Sequence, residues 1–324
     1  MERIKVGIVG YGNLGRGAEL AISYNEDMDL VAIFTKRDPS SLGTKSKAVH
    51  IDNIMDYKDK IDVMILCGGS LKDLDQQGPM VAAHFNTVDS FDNHGRIPEY
   101  FDKVNQVAAS AHKLSLISVG WDPGLFSLNR LIGQSILPNG KDYTFWGKGI
   151  SQGHSDAIRR VKGVKYGVQY TIPMEDAINT VRAFDDVDIP VNERHERICY
   201  VVCEEGEDQS RIEEEIKSMP NYFADYHTTV NFITEEELKA NHGKMAHGGF
   251  VIRTGYTGDG HRQKLEFNLE LESNPEFTSS VLVAFARAVY KMASRGDTGA
   301  ITLFDVPLGL LSPKSMGDLR KELL

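Results

Sequence analysis

A strand-like run, Ile4-Lys5-Val6-Gly7-Ile8-Val9, leads directly into Gly10-Tyr11-Gly12-Asn13-Leu14-Gly15. Arg16 to Tyr24 follows with apolar residues at helical spacing (Ala18, Leu20, Ala21, Ile22). A GxGxxG spacing is weak evidence by itself; between a buried strand and a helix it acquires a physical meaning. The first glycine permits the tight turn, the second admits a pyrophosphate to the backbone, and the third lets the helix pack on the strand. The anion would sit at the helix N-terminus, where backbone N–H groups and the dipole favour negative charge. Gly10, Tyr11, Gly12, Asn13, Leu14 and Gly15 are therefore candidate cofactor-binding residues, against the competing reading of a glycine turn that binds nothing.

The alternation continues through the first third. Strands are predicted at Leu30 to Phe34, Val63 to Cys67, Asn86 to Phe91 and Ser115 to Val119, with a helix over Glu99 to Lys113. Apolar strands separated by helices indicate a parallel sheet covered on both faces, here of the Rossmann type. Beyond about residue 120 the pattern changes to period two, as in Val164, Tyr166, Val168, Tyr170, Ile172 and again Leu265, Phe267, Leu269, Leu271. Similar runs cover Arg197 to Cys203, Thr228 to Ile233 and Phe250 to Tyr256. Such alternation predicts an open, mainly antiparallel sheet with one face packed and the other available to a second subunit. A long helix is predicted over Thr278 to Ser294. The fold class is thus α/β: a doubly wound dinucleotide-binding domain over 1–120, then an α+β substrate-binding and dimerisation domain over 121–298. The sequence permits the segment from about 299 to 324 to return to the first domain.

The end of the second strand selects the dinucleotide. An NAD site places Asp or Glu there to grip the ribose 2′-hydroxyl. This chain has Thr35-Lys36-Arg37, a hydroxyl and two cations that suit the 2′-phosphate of NADP, although both cations could be ordinary surface charges. Cys67-Gly68-Gly69-Ser70 closes the third predicted strand, where small residues let a cofactor approach the backbone or simply make a turn.

The net charge of -10 argues against a nucleic-acid partner, since phosphate backbones are held by clustered Lys and Arg. No apolar run approaches the roughly 20 residues that span a bilayer. Met1-Glu2-Arg3 passes straight into a strand without a signal peptide, and the three cysteines have no paired spacing. These features predict a cytoplasmic protein with no membrane partner and no metal. The acidic run Glu204, Glu205, Glu207, Asp208 and Glu213 to Glu215 reads as a solvated surface.

Two further acidic segments close the next strands: Asp89-Ser90-Phe91-Asp92-Asn93 and Gly120-Trp121-Asp122-Pro123-Gly124. Carboxylates there would attract an ammonium group, with Trp121 walling the site; Asp122 before Pro123 is equally a turn residue. With the glycine loop and Arg16, several blocks resemble the meso-diaminopimelate dehydrogenase family over nearly the whole chain. They are Gly120 to Gly124, Phe145-Trp146-Gly147, Ser151-Gln152-Gly153-His154-Ser155-Asp156-Ala157, Asn231-Phe232-Ile233, His247-Gly248-Gly249 and Asn274-Pro275-Glu276-Phe277. The resemblance implies NADP-dependent, reversible oxidative deamination at the D-centre of meso-2,6-diaminopimelate, yielding L-2-amino-6-oxopimelate and ammonia in lysine and cell-wall metabolism. It implies that Asp92, Asp122 and Trp121 serve the D-amino end, that Trp146, Gln152, Gly153 and Asp156 line the pocket, and that Thr171, Arg197, His247 and Asn274 hold the distant carboxylate and amine.

Those residue types suit a substrate with two carboxylates and two ammonium groups. Arg197 offers a planar fork for a carboxylate, and the aspartates offer acceptors for an ammonium. Asp92 and Asp122 are the candidate catalytic residues, yet a carboxylate with an ordinary pKa near 4 is a poor base for an ammonium unless burial raises it. Their stronger role is binding and orientation. The competing functions are another amino-acid or polyol dehydrogenase of this cofactor fold, or a non-catalytic NADPH sensor. The Lys base that many polyol enzymes use has no counterpart in Gly120-Trp121-Asp122-Pro123.

Overall fold

A computed structural model of the chain describes residues 3–184 and 188–324; Met1 and Glu2, read above as leading into the first strand, lie outside them. The chain first lays down β1 (Ile4–Val9), α1 (Asn13–Ser23), β2 (Met28–Thr35), β3 (Ala48–His50), β4 (Val63–Leu66), α2 (Asp75–Ala82), β5 (Asn86–Asp89), α3 (Ile97–Ser110) and β6 (Leu114–Leu116). After α4 (Leu125–Ile136) it continues through β7 (Lys141–Trp146), β8 (Gly149–Ile150), α5 (Gln152–Ile158), β9 (Val164–Pro173), α6 (Glu175–Arg182) and β10 (His195–Cys203). Next come α7 (Gln209–Lys217), β11 (Thr228–Phe232), α8 (Glu235–Asn241), β12 (His247–Thr257) and β13 (His261–Leu271). It finishes with α9 (Asn274–Ser294), β14 (Gly299–Ile301) and α10 (Met316–Leu323).

Two compact units result: residues 1–128 with 275–324, and residues 129–274. The first is a seven-stranded parallel sheet in the order β14-β6-β5-β4-β1-β2-β3. Successive residues of each strand feed opposite faces, as the pleat requires. Ile4, Val6, Ile8, Val63 and Ile65 enter one core with α1 and α9, while Val9, Met64 and Leu66 enter the other with α2 and α3. The doubly wound arrangement read from the apolar strands is the one observed.

The long helix α9 does not belong with the second domain, where its sequence position suggested it. Leu282, Phe285, Val289 and Met292 pack into the first core beside Ala18 and Ile22 of α1. Periodicity shows that a helix has an apolar face but not which core receives it. The same helix carries Arg287, 2% exposed, which donates to Asp27 Oδ2 and Oδ1 at 2.6 and 2.7 Å and to the Leu311 carbonyl at 2.8 Å.

The second unit departs from the single open sheet expected. Its strands form two sheets, β11-β10-β9-β8 and β13-β12-β7, in which only β10 and β11 run parallel. Gly147, at φ +115°, turns the chain out of β7 so that β8 joins the other sheet. A side chain at Gly147 would meet the Thr171 carbonyl at 2.1 Å, so only glycine fits this turn. The alternation itself holds: β10 buries His195, Arg197, Cys199 and Val201 in turn, while β13 is exposed along most of its length.

The Arg287–Asp27 pair makes stability depend on pH in a defined direction. Hydrogen bonding to Arg287 holds the Asp27 carboxyl below its ordinary value. Its contribution is complete above about pH 4, the ordinary carboxylate pKa, and is lost as pH falls through the lowered folded value. We expect Arg287→Ala to destabilise by about 3 kcal/mol in urea unfolding at pH 7, with the gap to the wild type narrowing below about pH 4. A gap that does not change with pH would remove the ion pair from this account.

Candidate active site

The loop after β1 has the geometry that its glycines predict. Gly10 adopts φ +91°, and a side chain on Gly15 would stand 2.2 Å from the Gly10 carbonyl oxygen, so α1 packs directly on the turn. A side chain on Gly12 would meet nothing within 4 Å, which leaves this stretch of backbone open to a ligand. Gly12 caps α1 without a side-chain hydrogen bond, and the first turn carries no acid. An anion therefore meets neither a competing acceptor nor a repelling charge there.

Thr35 closes β2, buried, with its hydroxyl accepting the Arg37 N–H at 3.1 Å. Arg37 donates to the Tyr11 carbonyl at 2.5 Å, which draws the cation onto the glycine loop. Lys36 is exposed and pairs with Asp73 at 3.0 Å. No carboxylate occupies the end of β2. The residues present thus fit a 2′-phosphorylated dinucleotide better than an unphosphorylated one. Beside Lys36 lies a cavity of about 380 Å³ with apolar walls that include Ile54, Met55 and Met80.

Cys67 and Gly68 follow β4 and run close to Gly10, whose side chain, if present, would stand 3.3 Å from the Cys67 backbone. Burial pushes the Cys67 thiol up to about 12, so it remains protonated at neutral pH. Ser70, grouped above with the cofactor residues, is hydrogen-bonded to Asp92. It donates to Asp92 Oδ1 at 2.5 Å and accepts the Asp92 N–H at 3.0 Å.

Trp121 is buried, edge-on to Phe126 with ring centres 5.2 Å apart, and bridges to Gly124. The turn from Gly120 to Gly124 is tight: a side chain on Gly124, at φ +143°, would fall 1.7 Å from the Gly120 carbonyl oxygen. Asp122 is half-buried in this turn, between Trp121 and the start of α4.

In the second unit the structure gathers part of the expected set. Arg197 and Thr171 face each other across the β9/β10 ladder, and Arg197 Nη1 donates to the Thr171 hydroxyl at 2.5 Å. Gly149 pairs with Thr171, and the His247 ring packs so close over Gly149 that a side chain there would meet it at 2.3 Å. Thr171, Arg197 and His247 are therefore neighbours. The Arg197 guanidinium lies over the Tyr226 ring at 4.1 Å, and its Nε is buried without a hydrogen-bond partner. Burial lowers the Arg197 pKa. Among the described residues no carboxylate lies within ion-pair distance of it.

Trp146 is half-buried at the end of β7, its ring stacked on His195 at 5.3 Å, and its backbone N–H donates to His195 Nε2 at 2.8 Å. Gln152 and Gly153 are exposed at the start of α5. Asp156, also exposed, is engaged by Arg159. Asn274 opens α9, its N–H donating to the Met245 carbonyl at 2.9 Å.

Sequence reasoning missed several supporting groups. Glu19 on α1 accepts from Thr44 at 2.6 Å, from Ser46 at 2.5 Å and from the Tyr11 hydroxyl, which fastens the loop after β2 to the glycine turn. Those hydrogen bonds hold its carboxyl below the ordinary value against the desolvation that would raise it. His154 sits inside a block already singled out; burial, and the nearby Arg197 charge, depress it to about 4, so it stays neutral. No spacing signals most of these partners: Thr44, Ser46 and Arg197 lie tens of residues from the groups they act on.

Residues 120–273 match the family described as diaminopimelic acid dehydrogenase C-terminal domain. The chain is 62% identical to a meso-diaminopimelate D-dehydrogenase of Ureibacillus thermosphaericus, with all of both chains covered. It superposes at TM-score 0.95 on the diaminopimelate dehydrogenase of Corynebacterium glutamicum in complex with DAP, at 44% identity and full coverage of both. A third likeness, at TM-score 0.90 and 42% identity over 99% of this chain and 100% of that one, is to an engineered D-amino acid dehydrogenase bound to NADP+.

Arg37 provides a test of the phosphate-recognising end. Loss of one charge-assisted hydrogen bond should weaken binding about 10- to 100-fold. In fluorescence titrations, Arg37→Ala should lose that affinity for NADP while NAD binding stays as it was. Equal loss for both would mean that Arg37 serves only the glycine loop through Tyr11.

Proposed function

This chain belongs to the meso-diaminopimelate D-dehydrogenase family, and we propose that it catalyses the reversible, NADP-dependent oxidative deamination of the D-centre of meso-2,6-diaminopimelate. Loss of the hydride leaves an imine, to which one water molecule adds before ammonia departs; the products are L-2-amino-6-oxopimelate, ammonia and NADPH. One observation carries the reading into this chain's own residues: Arg197, 7% exposed, has an unpartnered Nε and no carboxylate among the described residues. A buried guanidinium without a counter-ion is destabilising until an anion arrives. The distal carboxylate of the substrate is such an anion, with Thr171 and His247 beside it.

The opposite end of the substrate carries an ammonium group, for which Asp92 and Asp122 supply acceptors. Ser70 holds the Asp92 carboxylate through its hydroxyl and the Asp92 backbone through the N–H that it accepts. Bound NADP would accept the hydride released by the D-carbon, its pyrophosphate held by Gly10 to Gly15, its 2′-phosphate by Thr35, Lys36 and Arg37, and its base beside the cavity next to Lys36. Asp92 and Asp122 orient the amine so that its lone pair stabilises the positive charge developing on carbon, and they take up its proton through solvent. Trp121 and Trp146 limit the water that reaches the reacting centre, while Gln152, Gly153, Asp156 and Asn274 complete the polar lining. Stereochemistry follows from the fixed end: with the L-centre bound by Arg197, Thr171, His247 and Asn274, only the D-centre presents its hydrogen.

The exposed face of β13, with Leu265 at 39% exposure, supports a homodimer formed through this sheet. No helix among the described residues is long and apolar enough to cross a membrane. Three free cysteines, two of them in β10, suit a reducing, cytoplasmic setting.

Purified protein mixed with NADP and meso-diaminopimelate should generate NADPH absorbance, whereas NAD or LL-diaminopimelate should give little. Comparable rates on both isomers would defeat the fixed-end account, and silence in both directions despite tight NADPH binding would favour a sensor. Asp122→Asn should lower kcat by about 10²-fold or more, in the range of a lost positioned acid–base group, while the Kd for NADPH stays within about threefold. Wild-type turnover in that variant would remove Asp122 from the chemistry.

A further inference from the structure

Asp89 ends β5 at 1% exposure, although nothing in the reaction above uses it. Its Oδ1 accepts the backbone N–H groups of Phe91 and Ser118, each at 3.0 Å. Its Oδ2 accepts the Tyr100 hydroxyl at 2.7 Å, and its carbonyl accepts the Val119 N–H at 2.8 Å. Phe91 immediately precedes Asp92; Ser118 and Val119 lead into Gly120-Trp121-Asp122. One carboxylate therefore ties together the two turns from which the proposed ammonium-binding aspartates leave the sheet.

Two unfavourable features coincide at this point. Ser118 lies in the left-handed region at φ +60°, unusual for a residue with a side chain, and its hydroxyl is buried without a hydrogen-bond partner. Asp89 is itself disfavoured as a charge: desolvation raises its pKa against the three hydrogen bonds that lower it. A core that needed only filling would use an aliphatic residue here and relax the turn. Backbone strain and a buried carboxylate persist together only where surrounding contacts over-determine the geometry.

The surroundings do so. The Tyr100 ring stacks on Phe91 with centres 4.0 Å apart and planes 10° from parallel. The Tyr100 hydroxyl reaches Asp89 across Gly78 of α2, where a side chain would fall 2.0 Å from it. Ser70 anchors Asp92 from a separate strand end.

We propose that Asp89 is a positioning residue for the reaction: its carboxylate locks the Phe91–Asp92 and Ser118–Asp122 turns to each other, so that the two aspartates meet the substrate amine as one preset pair. This rests on the reading of Asp92 and Asp122 given above. Asp89 touches no reacting atom. Its requirement is an acceptor pair of the right shape, which an asparagine supplies in part: the amide oxygen accepts the two N–H groups and the amide nitrogen donates to Tyr100. An alanine leaves all three donors unpaired.

The test compares Asp89→Ala, Asp89→Asn, Tyr100→Phe and Asp92→Ala in the full-length protein, measuring kcat and KM for meso-diaminopimelate, Kd for NADPH and Tm. Asp89→Ala should lose kcat/KM about 100-fold with the Kd for NADPH within about threefold, and Asp89→Asn should recover most of that loss. A purely structural role would lower Tm while leaving kcat/KM, measured well below Tm, at the wild-type value, and that result overturns the proposal. So does a loss of NADPH affinity as large as the loss of kcat/KM. If Asp89→Ala does not fold, Tyr100→Phe decides, because it removes a single donor. It should lower kcat/KM about fivefold with NADPH binding retained, and an unchanged kcat/KM there overturns the proposal. Wild-type activity in Asp92→Ala would bring down the underlying reading and the proposal with it. An impaired Asp92→Ala beside a fully active Asp89→Ala would bring down the proposal alone.

Discussion

Parallel strands place all their carboxyl ends on one edge of a sheet, and the first unit is organised by that constraint. From this edge leave the glycine turn after β1, the Thr35-Lys36-Arg37 triplet after β2, Cys67 to Ser70 after β4, and the turns carrying Asp92 and Asp122 after β5 and β6. No single loop makes a site. The sheet brings them into register, and cross-links at the edge remove the freedom that remains: Arg37 to Tyr11, Ser70 to Asp92, Asp89 to Phe91 and Ser118. The Glu19 cluster does the same on the solvent side of the glycine turn.

Three arginines among the described residues are buried, and they differ in how the fold satisfies them. Arg253 pairs with Asp142 at 3.1 Å and donates to the Leu137 carbonyl, and Arg287 is enclosed by Asp27, Asn25 and Leu311. Both are satisfied within the fold. Arg197 is as buried as Arg253, yet its neighbours are a hydroxyl and an aromatic ring. Desolvation without a counter-ion is unfavourable by several kcal/mol in general; Arg253 and Arg287 are spared that penalty by their carboxylate partners, whereas Arg197 has a hydroxyl and a ring as its neighbours.

What the sequence disclosed follows what local chemistry can encode. The glycine turn was legible because spacing between a strand and a helix dictates a backbone path, and the missing acid at the end of β2 is likewise visible in one dimension. The period-two strands of the second unit were legible too. Their division into two sheets was not, because it turns on a single glycine, Gly147, whose need for a positive φ the pattern does not reveal. The allegiance of α9 was misjudged since an apolar helix face does not name its partner. Glu19, His154 and His195 escaped notice as supports because partners such as Thr44, Arg197 and Trp146 are distant in the chain; Asp89, in a segment read as carboxylates for an ammonium, is instead buried and spent on Phe91, Tyr100 and Ser118. Asp156, singled out by resemblance alone, is exposed and paired with Arg159.

The returning segment bears on how the chain is made. Residues 129–274 form one continuous stretch, whereas the first unit awaits 275–324 for one wall of a core, for Arg287 opposite Asp27 and for β14 beside β6. On the ribosome, the inserted unit emerges whole while the amino-terminal one is still missing a wall. Contacts closed across so long a loop form slowly, and an incomplete sheet keeps apolar surface in water meanwhile. The part of the molecule translated first is therefore the part that matures last, and its exposure to chaperones lasts until α9 and then β14 have cleared the exit tunnel.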